Sequence, residues 1–378
     1  MSQAHAPAKM QMCERMMRVA IVSPCFGVLG GVETFICALA KELHSRPGVE
    51  VTLCFKKTKH FKPDGLLEKV ARATGANVVF VERASRGLAA VIREADIVHC
   101  QNPCIDVALL TKCFRKPLVM TIHGWKQGGW NLRALVRSVA WRLADRTWYN
   151  SEFVWRTWEP HRRRKTSGRL PVVSNLPTGI IPPAQRKGFV FIARWIANKG
   201  IDFLVEAYAR AKLDRKQWPL ILMGDGPLRP MIEAKIREQR IEGIQIRGHV
   251  SEKERDEAIR HARWMVIPPN TKEDLGLTPM EARNVAVPCI ITRDGGLPEA
   301  GGRHSLICEP GNVEELSALL EKAAAMDSES YGRLCEATHR ELMEYLQPLS
   351  VYYDHFRELL NMSAAEHGTA PRKKAGVK

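Results

Sequence analysis

Two glutamates eight positions apart, Glu273 and Glu281, frame the stretch EDLGLTPMEA, with Gly276, Leu277, Thr278 and Pro279 between them. Thr278 fits a helix N-cap, Pro279 its first turn and Glu281 the third-position partner of a capping box. The spacing therefore predicts a loop carrying Glu273 that turns into a helix carrying Glu281. Capping alone accounts for Glu281 unless the rest of the chain gives it another role. Upstream, Arg194 and Lys199 follow the apolar run FVFIA and precede an amphipathic helix. A guanidinium fork and a point charge near a helix N-terminus suit the oxygens of a diphosphate, although each alone reads as surface charge. Glycine turns recur at the ends of apolar runs. Gly27, Gly30 and Gly31 come before a helix starting near Val32, and Gly224 and Gly226 come before a helix with Pro227 at its start. Gly248, His249 and Val250 precede a capping box of Ser251 and Glu254, and Gly295 and Gly296 precede one more helix. Backbone N–H groups at such turns favour an anion. The first turn is neither GxGxxG nor a P-loop, and no acidic residue closes VTLCF to take a ribose hydroxyl, so a nicotinamide cofactor is not expected.

Secondary-structure elements must hold these residues. From Arg18 onward, short apolar runs alternate with helical stretches: RVAIVS, VTLCF, NVVFV, DIVHC, PLVMTI and TWYNS. This alternation predicts a parallel sheet with crossover helices. The proline-rich passage PVVSNLPTGIIPPAQRKG interrupts it, and it restarts with FVFIAR, PLILMG, IQIRG, WMVIP and PCIIT. Two α/β domains are expected, 18–180 and 181–345, joined near 175–187. Helices are expected over 312–325 and 328–360, with 346–361 crossing back to the first domain, and 1–17 and 362–378 read as solvated tails. No short-period repeat is present, which excludes a solenoid. In doubly wound sheets ligands bind beyond the carboxyl ends of the strands, so chemistry belongs at the strand-to-helix turns.

The 378 residues, 45% hydrophobic and 26% charged, suffice for two domains with full cores. Residues 1–17 lack an apolar h-region, RVAIVSPCF is short and broken by Pro24, and no later run reaches membrane-spanning length. Neither a signal peptide nor a membrane anchor is expected. The ten cysteines include no CxxC pair, and Cys100, Cys104 and Cys113 lack partners at zinc spacing. Buried, reduced thiols of a cytoplasmic protein are expected. Charge is lopsided: residues 1–187 hold 30 Lys and Arg against 13 Asp and Glu, a net +17, whereas 188–378 hold 27 against 28, a net −1. A polyanion or an anionic membrane surface is the expected partner of the basic half.

The chain resembles the retaining glycosyltransferases of family 4. The stretches that carry the likeness are GGVE at 30–33, TIHG at 121–124, ARWIANKG at 193–200, GDGP at 224–227, the Glu-x7-Glu pair and DGGLPE at 294–299. Each is weak singly; their shared order and separation over roughly residues 18–310 are specific. The resemblance implies a GT-B fold, two Rossmann-like domains with parallel sheets facing a central cleft, the first receiving the acceptor and the second a nucleotide sugar. It implies that Arg194 and Lys199 bind the donor diphosphate and take up charge as the glycosyl bond breaks. Glu281 would accept from the ribose hydroxyls, Glu273 would lie against the donor sugar near the reacting carbon, and His123 would reach that sugar. Gly30, Gly31, Gly224, Gly226 and Val250 would line the donor, and the N–H groups of Gly276 and Leu277 would meet its phosphates. Eight helical residues span about 12 Å, so the paired glutamates can touch both ends of a nucleoside diphosphate sugar. No Asp-x-Asp occurs, which fits a metal-independent enzyme whose cations are Arg194 and Lys199, with no cofactor besides the donor. Asp274 and Leu275 stand where the family usually has Gly and an aromatic, and Ala193 and Ala286 where Gly is common, departures that would reshape the donor sugar pocket.

Six of the nine tryptophans fall between 125 and 158, among Arg133, Arg137, Arg142, Arg146 and Arg156. On a helical wheel Leu132, Leu135, Val136, Val139 and Leu143 share one face, with Arg133, Arg137 and Trp141 elsewhere. An exposed Trp beside Arg suits an interfacial membrane helix; a core-packed helix with a solvated basic side is the plainer alternative. No nucleic-acid motif accompanies the charge, so no nucleic-acid partner is expected. The leading expectation is a hexosyltransferase-like enzyme moving a hexose or N-acetylhexosamine from a nucleotide-diphosphate sugar to a glycan or lipid-linked acceptor. Its setting would be cell-surface polysaccharide or glycolipid biosynthesis, in the cytoplasm and peripherally on the cytoplasmic face of the membrane. A GT-B nucleotide-sugar epimerase and a non-catalytic nucleotide-sugar-binding protein are the alternatives.

Overall fold

The computed structural model describes residues 16–63, 65–129, 131–171, 173–271 and 273–366. Most of the tail expected over 1–17, and residues 367–378 of the tail expected at the other end, lie outside the described residues. The first sheet contains β1 (Met17–Cys25), β2 (Val49–Lys57), β3 (Asn77–Val81), β4 (Ile97–Gln101), β5 (Leu118–Ile122), β6 (Arg146–Tyr149) and β7 (Ser167–Arg169), in the order β3-β2-β1-β4-β5-β6-β7. The second contains β8 (Lys187–Ile192), β9 (Leu220–Met223), β10 (Ile244–Gly248), β11 (Ala262–Ile267), β12 (Cys289–Thr292) and β13 (Leu306–Cys308), in the order β10-β9-β8-β11-β12-β13. In the first sheet β1 pairs in parallel with β2 and β4, β2 with β3, and β6 with β7, and in the second sheet every neighbouring pair is parallel. The two Rossmann-like sheets make this a GT-B fold. Strands covered on both faces must be apolar almost throughout, and Ile21, Val22, Leu53 and Val190 are accordingly inaccessible to solvent.

Helices of the first sheet are α1 (Gly31–His44), α2 (Leu66–Arg72), α3 (Arg86–Glu94), α4 (Ile105–Cys113), α5 (Leu132–Arg142) and α6 (Glu152–Trp158). Those of the second are α7 (Ile201–Arg210), α8 (Arg229–Glu238), α9 (Glu252–His261), α10 (Leu277–Asn284), α11 (Leu297–Gly301), α12 (Val313–Ala324) and α13 (Ser328–Tyr345), and α14 (Val351–Glu366) follows. The chain divides into two compact units, 1–120 with 131–146 and 349–378, and 121–130 with 147–348. In the first unit α14 seats Tyr352 against Phe35 and His99, at ring separations of 5.7 and 5.4 Å. The core of the second unit is built round Trp195, Tyr208, Trp264, Phe189 and Phe191, all almost fully buried.

Several local expectations are corrected. The stretch 328–360 is two helices, because the chain leaves α13 at Leu346 and Pro348 disfavours helical backbone in the residue before it. Helix α8 starts at Arg229 with Pro230 in its first turn, so Pro227 belongs to the preceding turn. Strands β7 and β13 are three residues each and carry no run long enough to announce them. Cys113 is exposed, unlike the other described cysteines. Trp141 is buried, at 9% exposure, while Leu132, Leu135 and Val139 lie open to solvent. No described helix is long and apolar enough to cross a membrane.

Candidate functional site

Two turns of the second unit interlock at the carboxyl ends of β8 and β9. Gly224, at φ +105°, has its Cβ position 1.9 Å from the Ala193 carbonyl oxygen, and that of Gly226 is 2.5 Å from the Trp195 carbonyl oxygen. Only glycine fits at these approaches. The Trp195 N–H donates to the Asp225 carbonyl at 2.9 Å, and the buried indole donates to the Met223 carbonyl at 3.2 Å. Arg194 is held between these anchored neighbours, exposed and with no side-chain partner among the described residues. The glycines expected to touch a donor thus also shape the turn that presents Arg194.

Lys199 ends a short helical turn, 197–199, and Gly200 follows at φ +68° with its Cβ position 1.8 Å from the Pro268 carbonyl oxygen. The Lys199 ammonium donates to the Glu273 carboxylate, and the two form an ion pair with side chains 24% and 19% exposed. Glu273 is fixed from the DGGLPE turn: its N–H donates to Asp294 Oδ2 at 3.1 Å, and its carbonyl accepts the Gly296 N–H at 2.8 Å. Gly295, at φ +53°, would place a Cβ 2.1 Å from the same carbonyl oxygen.

Asp274 reaches in another direction. Its Oδ1 accepts the Trp125 N–H at 2.7 Å, and its carbonyl accepts the Ser151 hydroxyl at 2.6 Å. Burial pushes the Asp274 carboxyl above its ordinary range and neighbouring Glu273 adds to the shift, against the hydrogen bond from Trp125. His123 stands two residues before Trp125, and its carbonyl accepts Asn150 Nδ2 at 3.1 Å. Burial lowers the His123 imidazole to about 4, so it is neutral at pH 7. Leu275 fills an apolar cluster with Met280, Ala300 and Leu342. The residues by which this segment departs from the family therefore tie it down on both sides.

Helix α10 starts two residues earlier than its sequence suggests. Gly276, at φ +91° with its Cβ position 2.8 Å from Leu297 Cδ1, is the N-cap, so Thr278 and Pro279 are already helical. No capping box forms, and capping no longer accounts for Glu281. Glu281 is instead largely buried, with Arg255 Nη1 at 3.7 Å from its Oε1. Burial pushes its carboxyl up and Arg255 opposes the shift.

Lys199 and Glu273 are thus in direct contact, Asp274 ties them to the His123 segment, and Gly276, Leu277 and Glu281 continue along α10. Val250 packs with the apolar cluster of Ile259, Met265 and Ala282. Gly30 and Gly31 belong to the first unit, where the Gly30 N–H donates to Glu33 Oε2 at 3.2 Å. The N-terminus of α1 is therefore faced by its own buried carboxylate, whose pKa burial raises. Asp294, Arg255, Trp125 and Ser151 were not singled out from sequence. Asp294 opens the DGGLPE stretch and could have been found there, but Arg255 and Ser151 carry no local signal. No group of three His, Cys, Asp or Glu side chains among the described residues is placed to hold a metal ion. A cavity of about 220 Å³ lies in the first unit beyond the ends of β1 and β2, lined by Gly27, Lys57, Phe61, Pro63, Leu67 and Phe80, and holds none of the residues above.

Comparison with known proteins adds independent observations. Residues 29–175 match the family model described as Glycosyltransferase Family 4, and residues 186–325 match that described as Glycosyl transferases group 1. An uncharacterized glycosyltransferase of Bacillus subtilis is 22% identical over 287 residues, 71% of this chain and 79% of that protein. The O-antigen chain mannosyltransferase B of Escherichia coli is 29% identical over 145 residues, 37% of each chain. Curated relatives are matched over 19% to 79% of their own length. The crystal structure of Anabaena HepE in complex with UDP superposes with a TM-score of 0.74 over 91% of this chain and 99% of that one, at 16% identity.

Proposed function

Taking the chain as the GT-B glycosyltransferase that both family models indicate, we propose that it moves a hexose or N-acetylhexosamine from a nucleotide-diphosphate sugar to a glycan or lipid-linked acceptor. The observation that carries this reading is the Lys199–Glu273 pair, seated between two glycine-shaped turns and joined through Asp274 to the His123 segment. Arg194 and Lys199 would neutralise the diphosphate as the bond from the anomeric carbon to phosphate oxygen breaks, with no divalent ion required. Glu281 would accept hydrogen bonds from the ribose. Glu273 and neutral His123 would hold hydroxyls of the sugar, and the N–H groups at Gly276 and Leu277 would face the phosphates. Transfer with retention follows the family that the chain resembles. Lys57, Phe61 and Phe80 of the 220 Å³ cavity supply a cation and aromatic faces suited to an acceptor glycan. Similarity to a mannosyltransferase of O-antigen chains supports a role in surface polysaccharide or glycolipid assembly.

The test is to incubate the purified chain with labelled UDP-, GDP- and ADP-sugars, with and without glycan and lipid-linked acceptors, and to determine the product anomer by NMR. The reading requires acceptor-dependent transfer with the donor anomer kept and with activity unaffected by EDTA. Conversion of the sugar nucleotide without an acceptor contradicts it.

A further inference from the structure

The apolar row of α5 faces outward. Leu132, Leu135 and Val139 are 75%, 58% and 39% exposed, whereas Trp141, on the opposite side of the helix, is buried. At about 100° per residue the three aliphatics share one face, with Arg133 on one flank and Arg142 on the other, both exposed. The helix has no acidic residue. A water-facing helix ordinarily turns such a row inward, so its exposure marks a surface that meets something less polar than water.

We propose that α5 docks flat on an anionic lipid bilayer, with Leu132, Leu135 and Val139 at the acyl boundary and Arg133 and Arg142 among the headgroups. Charge selects this occupant. The helix lies in the half of the chain that carries a net +17, which an anionic surface attracts. A second copy of the chain would set the same arginines against each other. The inference goes beyond the transferase reading and stands or falls without it.

The experiment is co-sedimentation of the full chain with vesicles of phosphatidylcholine alone and with added phosphatidylglycerol. Recovery is expected with the anionic vesicles and little with the neutral ones. Leu132→Ser/Leu135→Ser/Val139→Ser and, separately, Arg133→Glu/Arg142→Glu should each lower the bound-to-free ratio roughly tenfold or more. Because every altered side chain is exposed, thermal unfolding should stay at the wild-type temperature. Equal recovery with both vesicle types, or wild-type binding by the triple serine variant, overturns the proposal. So does a solution dimer that the triple serine variant turns into monomer, which would assign the row to a second copy.

Discussion

Lys199 and Glu273 hold each other in an ion pair, and a diphosphate would offer Lys199 a more highly charged partner at the same place. If Lys199 neutralises the departing diphosphate, Lys199→Ala should lower kcat by roughly tenfold or more, the low end for loss of a charge-stabilising group. Steady-state rates with the cognate donor check this, and an unchanged kcat counts against the role. His123 makes a different demand. Its folded-state pKa, about 4, lies below its ordinary value of 6.5, so the folded protein binds the proton less readily than the unfolded chain. Stability should therefore decline as pH falls from 6.5 towards 4, and the activity profile should show no His123 inflection near 6.5. Denaturant titrations of wild type and His123→Asn at several pH values measure this, the variant giving the flatter curve. Asp274 has the opposite sign. A carboxyl raised in the folded state contributes most when protonated, and that contribution is lost as pH rises from 3.8 through the raised value. Asp274→Asn keeps an acceptor for the Trp125 N–H and discards the charge. It should gain stability relative to wild type as pH rises from 3.8 through the raised value; a difference that stays constant with pH contradicts the assignment.

At the scale of elements, glycines decide where the loops can lie. Gly295 and Gly48 both have positive φ, but a Cβ at Gly295 would strike the Glu273 carbonyl, whereas that at Gly48 meets nothing within 4 Å. Both substitutions to Ala incur backbone strain of about 1–3 kcal/mol; only Gly295→Ala should add a clash and displace Glu273. Thermal unfolding and donor binding of the two variants separate the effects, since Gly48→Ala should bind donor normally. The same distinction explains what was legible in the sequence. Long apolar runs announced eleven strands because strands buried on both faces cannot be polar. Ser167–Arg169 and Leu306–Cys308 escaped notice because three residues form no pattern. The sequence places the start of α10 two residues too late because Thr278 and Pro279 make a plausible cap, whereas the chain uses Gly276 at φ +91°. Trp125 and Asp274 are joined across 149 positions, and nothing local to either announces the bond. The wheel of α5 identified the apolar face correctly but could not tell which way it points, since periodicity fixes a stripe and only packing fixes its direction.

At the scale of the whole molecule, charge and chemistry are divided. The half up to residue 187 carries the positive excess, and the remainder, near neutrality, carries Arg194, Lys199, Glu273 and Glu281. A donor held by these four residues would owe its affinity for a diphosphate to a few placed groups, since residues 188–378 carry no net positive charge of their own. Each group should therefore matter singly. Calorimetric titration of UDP, GDP, ADP and their hexose conjugates into the full chain, and into Lys199→Ala and Glu281→Ala, measures this most directly. The account predicts that wild type binds one of the three bases with its sugar, that Lys199→Ala weakens the diphosphates, and that Glu281→Ala weakens every ligand bearing the ribose. Absence of binding by all of them, or wild-type affinity in both variants, would contradict it.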